Sequence, residues 1–232
     1  MPTRKDGAKG AAGRTAKRSG AGLFITFEGI EGSGKSTQIA KLTTWLRARG
    51  LPVLVVREPG GTRLGEALRR ILLAPSAEGI TARAELFLYL ASRAQLVAHE
   101  IKPALDRGWM VIADRFGDAS VAYQGGGRRL GERPVRTLVR FATGGLEPAR
   151  TYVLDLPPEA GLARVRLRGA PDRLEGEALV FHRAVRASYR RTARADPKRV
   201  LLLRGDEPPE RIAARIQRDL TRLLASIPAL DR

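Results

Sequence analysis

The 232-residue chain has no cysteine and only two histidines, His99 and His182. The lack of cysteine excludes disulfides, thiolate metal sites and thiol nucleophiles, and two isolated histidines do not indicate a metal cluster. We expect both histidines to be surface or half-buried helical residues. Aromatic residues make up only 5% of the chain, and no basic run is interleaved with them, which argues against a nucleic-acid-binding module.

Long apolar runs are absent as well. No window of the sequence reaches the length of a membrane-spanning helix, and residues 1–20 lack the apolar run of a secretory signal, so we expect a cytoplasmic protein without a membrane partner. Acidic residues are scarce, with 24 Asp and Glu against 42 Lys and Arg, which gives a net charge of +18. Such an excess attracts anions, namely nucleic acid, acidic lipid or phosphorylated small molecules.

Residues 1–21 are a basic segment of Gly, Ala, Lys and Arg with no large apolar residue after Met1. A segment of this composition cannot contribute to a core, so we expect a disordered tail. An electrostatic arm for nucleic acid and an inert extension both fit, and the second is the simpler interpretation. The rest of the chain, 22–232, is predicted to be one folded domain.

Apolar strands alternate with helical patterns along that domain. Helices are predicted over 36–49, 64–73 and 81–108, the last kinked or divided by Pro103. Five runs are predicted strands: 22–29, 52–61, 109–114, 149–156 and 199–205. Most are nearly continuous apolar runs, which is typical of strands covered on both faces. We therefore predict an α/β fold, a doubly wound five-stranded parallel sheet flanked by helices, with ligands beyond the carboxyl ends of the strands.

The first strand runs into a segment that fits the phosphate-loop pattern G-x-x-x-x-G-K-[ST] between a strand and a helix. Backbone N–H groups and the helix dipole favour phosphate there, Lys35 bridges the β and γ phosphates, and the Ser36 hydroxyl binds Mg²⁺. The predicted ligand is therefore a magnesium nucleoside triphosphate. The residues expected to contact it are Gly29, Ile30, Glu31, Gly32, Ser33, Gly34, Lys35, Ser36 and Thr37.

The residues after the third strand favour an anionic acceptor over water. Asp114 is followed by Arg115 and not by the second acid that is common in ATPases. Two anionic reactants repel each other, so transfer between them requires several cations around the reacting groups. The candidate cations are Arg93, Arg115, Arg164, Arg166, Arg168 and Arg173.

Six stretches in order resemble thymidylate kinases, over about residues 22–226. They are FEGIEGSGKSTQ (27–38), REPGGT (57–62), LYLASRAQL (88–96), DRFGDASVAYQGGGR (114–128), YVLDLPPEAGLAR (152–164) and RGAPDRLE (168–175). The resemblance implies a single-domain phosphate-loop kinase fold that moves the γ-phosphate of Mg-ATP to dTMP, a step of dTTP biosynthesis. It also implies Mg²⁺ as cofactor, ATP and dTMP as small-molecule partners, and a homodimer. The apolar positions Leu86, Leu90 and Leu96 fit either a dimer interface or packing within one chain.

The resemblance also implies roles around the acceptor base. Tyr89, where phenylalanine is more usual, would stack on thymine, and Arg93 would bond the edge of the base. Glu58 would face the same pocket. Ala119 stands where the family signature has serine, but Ser120 follows it and can still face the base.

Further roles concern the phosphate and sugar of the acceptor. Arg115 would hold the acceptor phosphate bidentately, and Asp114 would orient it or serve the water shell of the metal, beside Ser36. Tyr123 would pack under the sugar and exclude a ribose 2′-hydroxyl, with Gln124 in the same pocket. Glu31 would lie near the 3′-hydroxyl and the metal.

The resemblance further implies a mobile lid around residues 164–173. The phosphate loop has no arginine, which places this chain with the subgroup whose catalytic arginines come from the lid. Arg168 and Arg173 are the first candidates and Arg166 the next. They complete a predicted catalytic set of Lys35, Arg115, Arg168, Arg173 and Glu31. The adenine would lie near Gly205 and Asp206, held largely by backbone.

Two alternatives stay open from the sequence. One is a related phosphate-loop kinase with another acceptor, such as a different nucleotide or a small hydroxylated metabolite. Whether dUMP is tolerated, given Ala119, is a separate open question. The other is a basic phosphate-loop ATPase that acts on nucleic acid, motivated by the charge of +18. It predicts ATP hydrolysis stimulated by DNA or RNA and an affinity that falls steeply with salt.

Overall fold

The computed structural model describes residues 22–74, 79–167 and 172–226. The tail predicted for residues 1–21 and the predicted catalytic residue Arg168 lie outside these ranges. Five parallel strands form one sheet in the order β2-β3-β1-β4-β5, which confirms the predicted fold class. The strands are β1 Leu23–Glu28, β2 Val53–Arg57, β3 Met110–Asp114, β4 Arg150–Asp155 and β5 Val200–Arg204.

The register brings the carboxyl ends of the strands to one edge of the sheet. Phe27 of β1 lies opposite Asp114 of β3, and Arg57 of β2 lies opposite the same residue. On the other side of β1, Asp155 of β4 lies opposite Arg204 of β5. The chain therefore places the loops that follow all five strands around a common crevice, as in other doubly wound sheets.

The central and edge strands differ in how completely they are buried. Every residue of β1 is buried, whereas Val55 of the edge strand β2 is 41% exposed. An edge strand is covered less completely because it has a neighbour on one side only.

Helices cover both faces of the sheet. The α-helices of the described ranges are α1 Lys35–Arg47, α2 Arg63–Leu73, α3 Ala82–Leu96, α4 Lys102–Asp106, α5 Gly117–Ser120, α6 Glu132–Thr143, α7 Pro158–Arg166, α8 Leu179–Ala195 and α9 Pro209–Ala225, and two π-helical segments are Val97–Ile101 and Val121–Gly127. Ile25 of β1 packs with Leu46 of α1 and Ile216 of α9 on one face, while Phe24 packs with Leu96 of α3 on the other. Alternate side chains of one strand thus enter two separate cores, which requires a sheet covered on both sides.

Three local features account for the helix bounds. The hydroxyl of Thr62 accepts a hydrogen bond from the Gly65 N–H and caps α2, and Thr81 caps α3 in the same way. The helical stretch predicted over 81–108 is divided by the π-helical turn Val97–Ile101. That turn lies just before Pro103, which has no N–H to continue an α-helical ladder. Within the described ranges, no helix combines the length and apolar character needed to cross a membrane.

Candidate active site

A cleft of about 870 Å³ lies at the carboxyl edge of the sheet, between the phosphate loop, the ends of β2 and β3, and α3 and α7. It brings together most of the predicted site residues, although they come from segments far apart in sequence. The predicted residues that line it are Glu31, Gly32, Ser33, Gly34, Lys35, Ser36, Thr37, Glu58, Tyr89, Arg93, Asp114, Arg115, Ser120, Tyr123 and Gln124. Ala119 lines it as well.

The phosphate loop has a backbone that a β-carbon would block at critical points. A Cβ on Gly32 would lie 2.2 Å from the carbonyl oxygen of Gly161, and Gly32 and Gly34 both have positive φ, at 69° and 96°. Lys35 donates to the carbonyl oxygens of Gly29 and Ile30, at 3.1 and 2.9 Å. Burial, followed by the charge of Arg115, lowers the pKa of Lys35 to about 8. These two bonds hold the ammonium group inside the loop. Gly29 and Ile30, which were predicted to contact the nucleotide, bind Lys35 through their carbonyl oxygens and do not line the cleft.

Arg115 joins the third strand to the phosphate loop. Its guanidinium donates to the carbonyl oxygen of Gly29 at 3.0 Å and to Oε1 of Glu31 at 2.9 Å. The hydroxyl of Tyr123 donates to the same carboxylate oxygen at 2.6 Å, and the guanidinium lies over the Tyr123 ring. Burial disfavours the ionised form of Glu31 and would raise its pKa. The charge of Arg115 and the other donors outweigh this effect and hold the pKa of Glu31 well below its usual range.

The backbone turn at Arg115 is unusual, because this non-glycine residue has a φ of 70°. The turn is held from both sides: the Arg115 N–H donates to the carbonyl oxygen of Phe27 at 3.0 Å, and the Phe116 N–H donates to Oε1 of Glu28 at 2.8 Å. Glu28 also accepts a hydrogen bond from the Tyr189 hydroxyl at 2.7 Å. Burial, and then the charge of Asp118, raises the pKa of Glu28 to about 8. No sequence motif indicated this supporting role of Glu28 and Tyr189.

Arg93 is a buried donor at the far end of the cleft, 1% exposed. Its Nε donates to Oε2 of Glu58 at 2.7 Å, its Nη1 to the Ser120 hydroxyl at 2.9 Å, and its Nη2 to the Phe116 carbonyl oxygen at 2.9 Å. Burial raises the pKa of Glu58, and Arg93 opposes that shift. Tyr89, one helical turn before Arg93, lines the same end of the cleft. This arrangement fixes the orientation of a planar, charged donor before any ligand binds.

Two other predicted acceptor contacts have protein partners. The Gln124 amide donates to Oε1 of Glu85 at 2.9 Å, so this nitrogen is directed at a buried carboxylate while the residue still lines the cleft. Ser120, which follows Ala119, accepts from Arg93. The one-residue displacement of serine from the family pattern therefore leaves its hydroxyl in contact with the predicted base-binding arginine.

The predicted lid arginines lie in different surroundings. Arg173 binds Oε2 of Glu85 at 2.7 Å and the carbonyl oxygen of Leu72 at 2.7 Å, and it does not line the cleft. Arg164 does line the cleft, and its guanidinium donates to the carbonyl oxygen of Gly32 at 3.2 Å. Among the described arginines of this region, Arg164 thus lies against the phosphate loop in this conformation. The sequence pattern placed it only within a basic cluster.

Three further residues, His182, Arg69 and Asp155, had no role assigned to them from the sequence. His182 is fully buried, so the expectation of a surface or half-buried residue is wrong for it, whereas His99 is exposed as expected. The face of α8 that carries His182 packs on the phosphate loop, and a helical pattern in the sequence does not reveal this contact. Arg69 lines the cleft and donates to the carbonyl oxygen of Pro59 at 2.9 Å. Asp155 forms a bidentate ion pair with Arg186 and is structural.

The donor set suits a magnesium ion that arrives with a nucleotide. The Ser36 hydroxyl and the Asp114 carboxylate both face the cleft, and oxygen ligands are those that Mg²⁺ prefers. In the described ranges, no group of three or more His, Asp or Glu residues is placed to hold a metal ion. A protein contribution of one or two oxygens, completed by phosphate and water, is the usual arrangement for this ion.

Comparisons with known proteins agree with this geometry. The family model for thymidylate kinase matches residues 27–216. A thymidylate kinase of Pseudomonas savastanoi pv. phaseolicola is 49% identical over 211 residues, which cover 91% of this chain and 99% of the relative. One from Deinococcus radiodurans is 50% identical over 84% of this chain and 94% of its own.

A crystal structure of thymidylate kinase from Ehrlichia chaffeensis superimposes with a TM-score of 0.70 at 28% identity, covering 87% of this chain and 99% of that one. This chain is therefore similar to thymidylate kinases over nearly all of its described residues. The matched region includes the strand order β2-β3-β1-β4-β5, the phosphate loop and the turn at Asp114 and Arg115. The chain belongs to the thymidylate kinase family.

Proposed function

We propose that this enzyme transfers the γ-phosphate of Mg-ATP to the phosphate of dTMP, giving ADP and dTDP on the route to dTTP. The observation that carries the proposal is the position of Arg115. Its guanidinium lies 2.9 Å from Glu31 of the phosphate loop and borders the end of the cleft that holds Tyr89 and Arg93. A cation at this junction faces both a donor phosphate on the loop and an acceptor phosphate beside it.

The donor side is built from the phosphate loop. Backbone N–H groups at the start of α1, Lys35 and the exposed Ser36 would surround the β and γ phosphates of ATP. Gly205, which also lines the cleft, supports an adenine position held largely by backbone. Ser36 and Asp114 would hold the magnesium ion, which, when bound, neutralises phosphate charge and aligns the phosphoryl group.

The acceptor side is built from α3 and the residues after β3. Tyr89 would stack on the base, Arg93 would bond its edge, and Tyr123 would pack under the sugar. Arg115 would leave Glu31 and hold the acceptor phosphate with both arms of its guanidinium. That phosphate oxygen is already ionised at neutral pH, so attack on the γ-phosphorus requires no proton-accepting residue of the enzyme.

Charge compensation is the main catalytic contribution of the protein in this scheme. Lys35 and Arg115 would lie where the two phosphates meet, and cations placed in advance stabilise charge that develops in transfer. Arg164 already borders the phosphate loop. Arg173 would join it by leaving Glu85 when the lid closes, and we retain Arg168 as a further candidate. A closed lid also excludes water and limits hydrolysis of ATP.

We further infer a cytoplasmic homodimer. Leu86, Leu90 and Leu96 are buried within the chain, so they pack intramolecularly. Four other apolar side chains on the neighbouring helices α2, α3 and α6 are exposed by 46% to 86%: Leu64, Ile71, Phe87 and Phe141. If these side chains form one patch across the three helices, it is the candidate interface for a second copy of the chain. Analytical ultracentrifugation of the wild type and of Phe141→Lys tests this: we expect a dimer that the substitution weakens, and a wild-type monomer refutes the inference.

The activity is tested by measuring ADP formation with Mg-ATP against a panel of nucleoside monophosphates. The panel contains dTMP, dUMP, dCMP and the ribonucleotide UMP, with an acceptor-free control and a DNA-only control. We expect dTMP to be strongly preferred and dUMP to report how far Ala119 loosens base selection. A preferred acceptor other than dTMP would indicate a related kinase. Stimulation by DNA, without stimulation by any monophosphate, would overturn the proposal in favour of a nucleic-acid-dependent ATPase.

A further inference from the structure

His182 has none of the roles assigned above, yet it is completely buried in the first turn of α8. Neither of its ring nitrogens has a hydrogen-bond partner among the described residues. Burying an imidazole without partners costs free energy, because the ring loses its bonds to water. A buried imidazole is therefore expected to bond the nearest polar group that can accept from it.

The nearest polar group identifies that interaction. Nδ1 of His182 lies 3.5 Å from Oε2 of Glu31, and this carboxylate oxygen also lacks a hydrogen-bond partner in the described part of the chain. The other oxygen, Oε1, accepts from both Tyr123 and Arg115. The Glu31 carboxylate is thus held firmly on one side and faces the imidazole on the other. A distance of 3.5 Å is long for a hydrogen bond, but such contacts in active sites tighten when substrates bind.

We propose that His182 is a positioning residue for Glu31, and that its Nδ1–H donates to Oε2 and holds the carboxylate in place once Arg115 turns to the acceptor. The inference rests on the proposed function, which assigns Arg115 to the acceptor phosphate. Arg115 bonds Glu31 through Nη2 in this structure, and a guanidinium that turns to face a phosphate moves that nitrogen away from the carboxylate. Glu31 then keeps two donors, the hydroxyl of Tyr123 and the imidazole of His182.

The remainder of α8 supports the same interpretation. Tyr189 lies seven residues after His182, which is two helical turns, so both side chains project from one face. Tyr189 donates to Glu28 at the end of β1, and His182 faces Glu31 in the loop that follows. One helix therefore contacts the two acidic side chains, Glu28 and Glu31, at the start of the phosphate loop. The Phe181 ring meets the imidazole edge-on at 5.4 Å and fixes its plane.

Substitutions at His182 separate a donor role from a packing role. His182→Leu removes the donor and keeps a side chain of similar bulk, whereas His182→Asn places an amide nitrogen near the position of Nδ1. We expect His182→Leu to lower kcat/KM for dTMP about tenfold, the effect of one hydrogen bond to a charged group, and His182→Asn to retain activity within about threefold. His99→Asn, at the exposed histidine, is the matched control and should leave activity unchanged.

A Glu31→Ala background, which leaves no acceptor at this position, tests whether the effect passes through Glu31. If it does, adding His182→Leu to Glu31→Ala causes no further loss, because the two groups act as one unit. Two results overturn the proposal: an equal loss of kcat/KM in His182→Leu and His182→Asn, or a loss in the double variant that equals the product of the two single losses.

A second measurement does not depend on turnover. The chain has only two histidines, so ¹⁵N NMR of the ring nitrogens resolves His182 with exposed His99 as internal reference. We expect the His182 Nδ1 to carry a proton and its signal to shift in Glu31→Gln, while His99 stays unchanged. An unprotonated Nδ1, or an unshifted signal, refutes the contact. Wild-type enzyme that fails to phosphorylate dTMP refutes the proposed function instead, and the spectrum still decides whether His182 and Glu31 are joined.

Discussion

Replacing Arg93 with leucine separates its structural contribution from its predicted contact with the base. Arg93 and Glu58 form an ion pair whose side chains are 1% and 2% exposed, and Arg93 also bonds Ser120 and the Phe116 carbonyl oxygen. Removing one partner of a buried pair costs about 3–5 kcal/mol, because the other is left without compensation. Glu58 can take up a proton, since burial already raises its pKa, which favours the lower end of that range.

A loss of about 3 kcal/mol corresponds to a fall in Tm of about 6–12 °C for a chain of this size. The assay is thermal unfolding followed by circular dichroism without nucleotide, since a bound ligand would shift Tm by mass action. The matched control is Arg183→Leu, which removes an equally close pair with Glu159 whose side chains are 63% and 50% exposed. Exposed pairs contribute at most about 1 kcal/mol, so the control should lose far less. Equal shifts for the two variants would refute the reasoning that burial sets the cost.

Three further predictions follow from the site. Glu28 stays protonated in the folded protein up to about pH 8 but ionises near pH 4.5 when unfolded, so it lowers the stability of the fold as pH rises between these values. The difference in Tm between Glu28→Gln and the wild type should therefore grow in favour of the variant from pH 5 to pH 8, and a constant difference would contradict this. Arg115→Ala should raise KM for dTMP about 10-fold or more, while Arg173→Ala should mainly lower kcat; small, equal effects in steady-state kinetics would reject that division. EDTA should abolish ADP formation and excess Mg²⁺ restore it, while the nucleotide-free Tm stays unchanged, because the metal would be held mainly by the nucleotide.

Much of the lining of the cleft was predictable because short contiguous motifs carry it. The phosphate loop depends on glycines at fixed spacing, and a Cβ at Gly32 would strike Gly161. Tyr89 and Arg93 share a pocket because they are one helical turn apart. Asp114 and Arg115 follow a buried strand, and the carboxyl ends of parallel strands meet at one edge.

The remaining site residues were hidden because their partners are distant in sequence. Glu28 supports the turn at Arg115 only because β1 and β3 are neighbours in the sheet, and Tyr189 reaches it from a helix 161 residues away. Arg173 was selected from a basic cluster, but its contact with Glu85 depends on how the lid segment lies against α3.

The sequence by itself determined the parallel α/β fold and the phosphate loop, since both follow from local spacing and from apolar runs along the chain. The family was indicated by the resemblance of six stretches to thymidylate kinases. Only the tertiary structure decided which charges face one another. It placed Arg115 and Tyr123 on one oxygen of Glu31 and buried His182 against the other. Such pairings depend on distances between separate strands and helices, and electrostatic energy depends on those distances and on burial, which no linear pattern records.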